Sequence, residues 1–179
     1  MNKQELVRFI NKYYLNGVVN SVVLNSKSDT QVLSTRFISG DKTLLGDLTV
    51  DKWDFEDSDV GIYNTEQLLK LLSVMDNDIQ LSLSKSGSKS LALKVSDSSS
   101  SINYMLSGTN RVTIPVNTSK VSDIENVSFN ANMFKEVLSA NKECESATLE
   151  VSSEGLSKIS FKVDNFTATY WLVAVSDSD

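Results

Sequence analysis

Residues 59–67 read Asp59-Val60-Gly61-Ile62-Tyr63-Asn64-Thr65-Glu66-Gln67, a short apolar run that leads directly into a helix start. Asparagine is a residue type that caps helix amino termini with its side-chain oxygen. The apolar residues that follow are spaced as on one helix face, at Leu68, Leu71, Leu72 and Met75. Residues 79–83, 91–95 and 102–106 then alternate apolar and polar, as half-buried strands do. The segment predicts a unit made of a strand, a helix and antiparallel strands.

The same unit recurs on both sides of this segment. Downstream, residues 127–129 lead into Asn130, a helix is predicted over 133–140, and strands are predicted at 147–151, 159–163 and 166–174. This helix is expected to bury Met133, Phe134, Val137 and Leu138. Upstream, the leading strand is absent and strands are predicted at 18–24, 32–38 and 43–50. Three such repeats predict an α+β fold, with helices packed on one face of antiparallel sheets.

The first helix has its own start and stop signals. Asn2 is expected to cap it, with Glu5 reaching back to complete a capping box. Leu6, Ile10 and Tyr13 form its apolar stripe, and Gly17 is expected to end it in a left-handed conformation.

Composition excludes several classes of protein. Of the 179 residues, 40% are hydrophobic, which supports a packed core and argues against a disordered chain. The single cysteine, Cys144, cannot form an intramolecular disulfide, and no run approaches the roughly 20 apolar residues that span a bilayer. These features predict a cytoplasmic protein. The net charge of −6 argues against coating nucleic acid by bulk attraction, but it leaves room for a local basic surface.

The sequence predicts no enzyme, cofactor or metal site. Histidine is absent, so a Ser-His-Asp triad and the usual zinc ligands are missing. Residues 86–89, Ser-Gly-Ser-Lys, lack the spacing of a phosphate-binding loop. The pairs Asp76/Asp78 and Asp57/Asp59 bracket predicted elements and are interpreted as caps or terminators.

The repeats divide the chain into two predicted domains. Residues 1–108 hold two units and residues 125–179 hold one. Residues 109–124 contain the only proline, Pro115, and are interpreted as the connector, since proline is tolerated there and rarely in a central strand.

Residues 53–63, Trp-Asp-Phe-Glu-Asp-Ser-Asp-Val-Gly-Ile-Tyr, resemble a stretch of tailed-bacteriophage DNA polymerase sliding clamps. The Leu-rich helix and residues 74–79 follow in the same order as in that family. Residues 33–40 resemble its strand and turn, and residues 166–174 resemble its last strand. The similarity covers residues 1–108 and 125–179, and the order and spacing of the matches carry it.

This resemblance implies a function and partners. Clamps of this family are similar in build to proliferating-cell nuclear antigen (PCNA); they encircle double-stranded DNA without reading its sequence and tether a DNA polymerase, and a clamp loader places them on DNA. The family has four helix-plus-strand units per chain in a trimer, whereas only three are found here. A tetramer would restore the family's twelve units per ring, and a trimer with fewer units is an alternative. A role in late viral transcription is a further open possibility.

The resemblance also implies two sets of site residues. The helix faces turned towards DNA would carry Arg8, Lys12, Lys70, Lys135 and Lys142. Changing Arg8, Lys12, Lys70 and Lys135 to Glu is expected to abolish clamp loading and leave the fold intact. A pocket for partner peptides would be lined by Val112, Ile114, Pro115, Tyr170 and Leu172, although Tyr170 and Leu172 are favoured as strand core.

The predicted DNA contacts and the predicted clamp function each have an alternative. Lysines on outer helix faces are usually only solvated, and late positions in a helix suit cations in any case. A β-rich interaction or virion protein without DNA binding would share the layered build, and it would be a monomer or dimer where a clamp is a closed ring.

Overall fold

A computed structural model describes residues 2–108 and 127–175. Within these ranges the predicted helices and strands are present, except that residues 127–129 form no strand and only Phe129 makes an isolated bridge, to Ala174. The helices are α1 (Lys3–Tyr14), α2 (Thr65–Ser73) and α3 (Ala131–Ala140), and a 3₁₀ turn, Leu15–Gly17, follows α1. The strands are β1 (Val22–Lys27), β2 (Val32–Ile38), β3 (Leu44–Asp51), β4 (Ser58–Ile62), β5 (Gln80–Ser86), β6 (Lys89–Ser96), β7 (Ser101–Met105), β8 (Thr148–Val151), β9 (Leu156–Val163) and β10 (Phe166–Val173).

All three helices begin with an asparagine cap, as predicted. The side-chain oxygens of Asn2, Asn64 and Asn130 accept backbone N–H groups of the first helical turn at 2.8–3.2 Å. The predicted capping box at Asn2 is wrong, however. The Glu5 carboxylate instead accepts a hydrogen bond from the Asn165 side chain at 2.6 Å.

The end of α1 also differs from the prediction. Leu15 (φ 47°) and Asn16 (φ 53°) are already left-handed before Gly17 (φ 103°), so the helix ends at Tyr14. The backbone N–H of Val19 then donates to the carbonyl of Tyr14, which holds the chain in a turn. Strand β1 consequently begins at Val22 and not at residue 18.

The strands form two antiparallel sheets. A seven-stranded sheet has the order β4-β1-β2-β3-β10-β9-β8, and a three-stranded sheet has the order β5-β6-β7. Strand β10 pairs with β3 over the register Phe166↔Val50 to Leu172↔Leu44, so the larger sheet joins the first unit to the third. It therefore crosses the predicted domain division, which stays a prediction because residues 109–124 lie outside the described ranges.

One apolar core lies between the helices and the sheets. Leu6, Phe9, Ile10 and Tyr13 of α1 are almost fully buried, and α1 packs against β3 and contacts both other helices. Helix α3 is attached more lightly. Val137 is its only fully buried side chain, and Leu138, predicted as core, is 47% exposed.

Candidate nucleic-acid interface

The three helices share one open trough of about 880 Å³. It runs along α1, with α2 on one side and α3 on the other. Its lining residues from α1 and the following turn are Lys3, Gln4, Val7, Arg8, Asn11, Tyr14, Leu15 and Asn16. Those from α2, α3 and the segments after them are Leu69, Leu72, Ser73, Asn77, Glu136, Ser139, Ala140, Lys142 and Glu143. We refer to this surface as the helix trough.

Arg8 is held in ion pairs at the edge of the trough. Its Nε donates to Glu143 Oε1 at 3.0 Å and its Nη1 donates to Asp164 Oδ2 at 2.9 Å. The guanidinium also lies 4.5 Å from the centre of the Phe166 ring. Burial lowers the pKa of Arg8, but its hydrogen bonds to Asp164 and Glu143 outweigh that effect, and the pKa lies above its ordinary value. The guanidinium therefore stays charged, and its charge is largely neutralised by these two carboxylates.

The expectation that Lys12 faces outward is wrong. Its side chain is fully buried, and Nζ donates to Glu143 Oε1 at 2.5 Å, Asn141 Oδ1 at 2.8 Å and the Ala140 carbonyl at 3.2 Å. Arg8 and Lys12 do lie about 40° apart on α1, as the spacing requires. The end of α3 packs over that side of α1, which converts an expected DNA contact into an internal one.

Lys12 also closes a polar network that fixes the end of α3. The Asn141 side-chain N–H donates to the Val137 carbonyl at 2.8 Å and to Tyr170 Oη at 3.0 Å, and Tyr170 Oη donates to the Lys12 carbonyl at 2.9 Å. Burial raises the pKa of Tyr170, and the hydrogen bond from Asn141 opposes that shift only in part. Two of the last carbonyls of α3 are thus satisfied by side chains in place of a capping glycine: that of Val137 by Asn141, directly after the helix, and that of Ala140 by Lys12 of α1.

The other three predicted cations are exposed. Lys70 forms an i,i+4 ion pair with Glu66 at 2.5 Å, which raises the pKa of Lys70. Lys135 lies beside the apolar side chains of Phe129, Phe134 and Leu138. Lys142 lines the helix trough, and neither Lys135 nor Lys142 has an ion-pair partner in the part of the chain that the structure describes.

Lys3 was not among the predicted cations, although it lines the helix trough and its ammonium group donates to the Met75 carbonyl. Its position in the first turn of α1 does not indicate a functional cation, because cations are disfavoured at helix amino termini.

Glu143 gives this region a predictable response to acid. Although partial burial raises the pKa of this carboxyl, hydrogen bonds from Lys12 and Arg8 lower it more, to below its ordinary value of 4.5. A carboxylate with a lowered pKa stabilises the folded state above its unfolded pKa, and this contribution is lost as the pH falls through the folded pKa. We expect Glu143→Gln to destabilise the protein at pH 7 and much less below about pH 4.

The measurement is urea unfolding at several pH values between 3 and 7. Glu150→Gln is the matched control, because Glu150 pairs with Lys158 on the exposed edge strand β8 and should contribute little. An equal loss of stability at pH 7 and pH 3.5 for Glu143→Gln would contradict the ionic role.

The predicted peptide pocket is only partly described. Val112, Ile114 and Pro115 lie outside the described residues. Tyr170 and Leu172 are fully buried on β10, so the interpretation of these two as strand core is correct, and they do not form an open surface.

Exposed apolar side chains lie at the last residue of β10 and just beyond it. Val173 and Val175 are each about half exposed, and their backbone N–H groups donate to the carbonyls of Thr43 and Ser128. The carboxyl end of β10 therefore offers an apolar surface beside the start of β3.

This architecture, with few helices and antiparallel sheets, is that of a PCNA-like sliding clamp. The solved structures it resembles include PCNA from Entamoeba histolytica, with a TM-score of 0.74, 12% identity, and coverage of 97% of this chain and 96% of that one. PCNA from Thermococcus kodakaraensis gives a TM-score of 0.73 at 11% identity, with 98% of both chains covered. The PCNA2–PCNA3 complex from Sulfolobus tokodaii gives 0.66 at 10% identity, with 97% of both chains covered.

At these identities the likeness shows the fold alone. No protein-family model and no curated protein sequence matches the chain. None of the helices within residues 2–108 and 127–175 has the length and apolar character needed to cross a membrane.

Proposed function

We propose that this protein is a subunit of a DNA sliding clamp that encircles double-stranded DNA and tethers a DNA polymerase. The observation that carries the proposal is the helix trough: three helices line one open surface, with charged and amide side chains among apolar ones, in a PCNA-like fold. A ring of such subunits would line its hole with helices and place its sheets outside.

Such a protein has no reaction to catalyse. Its exposed lysines would contact phosphates, and each contact would contribute a salt-sensitive increment through counterion release. Lys70, Lys135 and Lys142 are the proposed contacts, with Lys3 added. Because these contacts are few and solvated, the subunit would slide, and closure of the ring would prevent escape.

The proposed partners are a polymerase, a clamp loader and further copies of the chain, three or four per ring. Partner peptides would dock near the carboxyl end of β10, where Val173 and Val175 are exposed. The resemblance of residues 53–63 to phage clamps supports a role in phage replication in the cytoplasm of a host cell. The virion-protein alternative lacks a comparable observation, since it does not explain the helix trough.

The test is retention on closed circular DNA after loading. A clamp should stay on a nicked circle, dissociate once the circle is cut, and increase the run length of its polymerase. Light scattering should give a particle of three or four times the chain mass of 19.7 kDa. A monomer that leaves circles and linear DNA equally fast would overturn the proposal.

Changing Lys70, Lys135 and Lys142 together to Glu should reduce loading and polymerase stimulation by about tenfold or more, because phosphate contacts become repulsive. Arg8 and Lys12 are left unchanged, since their ion pairs belong to the folded structure and reversing them would destabilise it. This corrects the expectation that all the predicted cations can be reversed without loss of fold.

The matched control changes Lys27, Lys89 and Lys94 to Glu, an equal change in charge at exposed positions on strands β1 and β6 and not on the helices. Circle retention and particle mass are measured for both variants. Equal effects of the two triple substitutions would show that net charge matters and that these three helix-side lysines do not.

A further inference from the structure

The lining of the helix trough includes neutral amides. Gln4 and Asn11 are exposed, and they lie seven residues apart on the side of α1 opposite the buried Phe9 and Tyr13. Seven residues are about two helical turns, so the two side chains stand roughly 10 Å apart along the helix. Asn16 and Asn77 add two more exposed amides to the same lining.

These four amide groups are free to bind a ligand. Within residues 2–108 and 127–175 their side chains make no hydrogen bond, although the backbones of Gln4, Asn11 and Asn77 do. Each amide offers two N–H donors and a carbonyl acceptor. The amide caps Asn2, Asn64 and Asn130, by contrast, are all used internally.

The charged groups of the helix trough largely cancel. Lys3, Arg8 and Lys142 are opposed by Glu136 and Glu143, and Arg8 is already paired with Glu143. Coulomb attraction along α1 is therefore weak, and the remaining polar chemistry along it is that of the amides.

We infer that Gln4 and Asn11 of α1, assisted by Asn16 and Asn77, contact the phosphate backbone of the duplex as uncharged groups, in addition to the lysines. This inference rests on the proposed function. An amide N–H donates to any phosphate oxygen regardless of base sequence, directly or through water. It carries no charge and therefore releases no counterion, so its contribution to binding is nearly independent of salt.

Salt dependence separates amide contacts from lysine contacts. The double change Gln4→Ala and Asn11→Ala should weaken binding to a short duplex about three- to tenfold and leave the slope of log K against log[salt] unchanged. Lys142→Ala should instead reduce the magnitude of that slope by about 0.9. Changing Gln4 and Asn11 to Lys should tighten binding, steepen the slope and slow diffusion along DNA.

The measurement is fluorescence anisotropy with a 30-base-pair duplex from 50 to 200 mM salt, supported by thermal melting. Alanine is a good helix former, so the fold should be retained. Gln80→Ala with Asn103→Ala is the matched control, because these residues are the same two types, exposed on strands outside the helix trough.

Each outcome decides the inference. A double alanine variant that binds like the wild type at every salt concentration would overturn it, as would a changed slope or the absence of duplex binding at 50 mM salt. Circle retention by the same preparation reports on the proposed function separately. If the ring is retained on circles but the double alanine variant binds the duplex like the wild type, the protein is a clamp that contacts DNA through other residues.

Discussion

Lys12→Ala is expected to lower the free energy of unfolding by about 3 kcal/mol. The variant leaves the Ala140 carbonyl and the Asn141 side-chain oxygen without their buried donor. It also removes one of the two cations that neutralise Glu143, and it opens a cavity beneath the end of α3. Because α3 has a single fully buried side chain, its attachment depends on this polar network more than on apolar contact.

Urea unfolding of the wild type and the variant measures the loss. Lys70→Ala is the control: this lysine is also paired with a glutamate, but its side chain is 74% exposed, and exposed pairs contribute little. Equal stability losses for the two variants would show that the burial of Lys12 has no energetic consequence.

Gly46→Ala should be destabilising by about 3 kcal/mol, through overpacking at the centre of the large sheet. Gly46 lies on β3 between Phe37 and Tyr170 on the two neighbouring strands, and a Cβ at this position would lie only 2.1–2.8 Å from three carbons of the Phe37 ring. The Phe37 ring cannot move away freely, because it also contacts the Tyr13 and Tyr170 rings at centroid distances of 6.3 and 6.2 Å. The variant would therefore force β2 and β3 apart beside the pairing of β3 with β10 that joins the first unit to the third.

Gly40→Ala is the matched control, since a Cβ there meets nothing within 4 Å and the residue has no positive φ. Thermal unfolding of both variants measures the difference. If the two glycines tolerated alanine equally, the close approach of Phe37 to the β3 backbone would have no cost.

Asparagine caps and apolar periodicity predict all three helices, and each of the ten described strands overlaps a predicted one. The predictions that fail concern neighbours distant in sequence. Leu138 has the spacing of a core residue but lies where no other element covers α3, and Glu5 has the spacing of a capping box but binds Asn165.

For the candidate site too, local spacing predicts some features and contacts between distant residues decide the others. The exposed positions of Lys70 and Lys135 follow from helix geometry alone, Lys142 is exposed in the turn after α3, and the contact of all three with DNA stays a prediction. The burial of Lys12 does not follow, since its partner Glu143 is 131 residues away along the chain. No local pattern in the sequence indicates a contact between residues so far apart.

The amino-acid order by itself determined where helices start, which helix faces are apolar and that the unit repeats, because these depend on residues within about four positions of one another. Only the tertiary structure decided that β10 pairs with β3, that α3 closes over Lys12, and that Gln4 and Asn11 stay open to solvent. The reason is physical: a side chain on a helix surface is either buried or solvated according to what packs beside it, and that neighbour comes from another part of the chain.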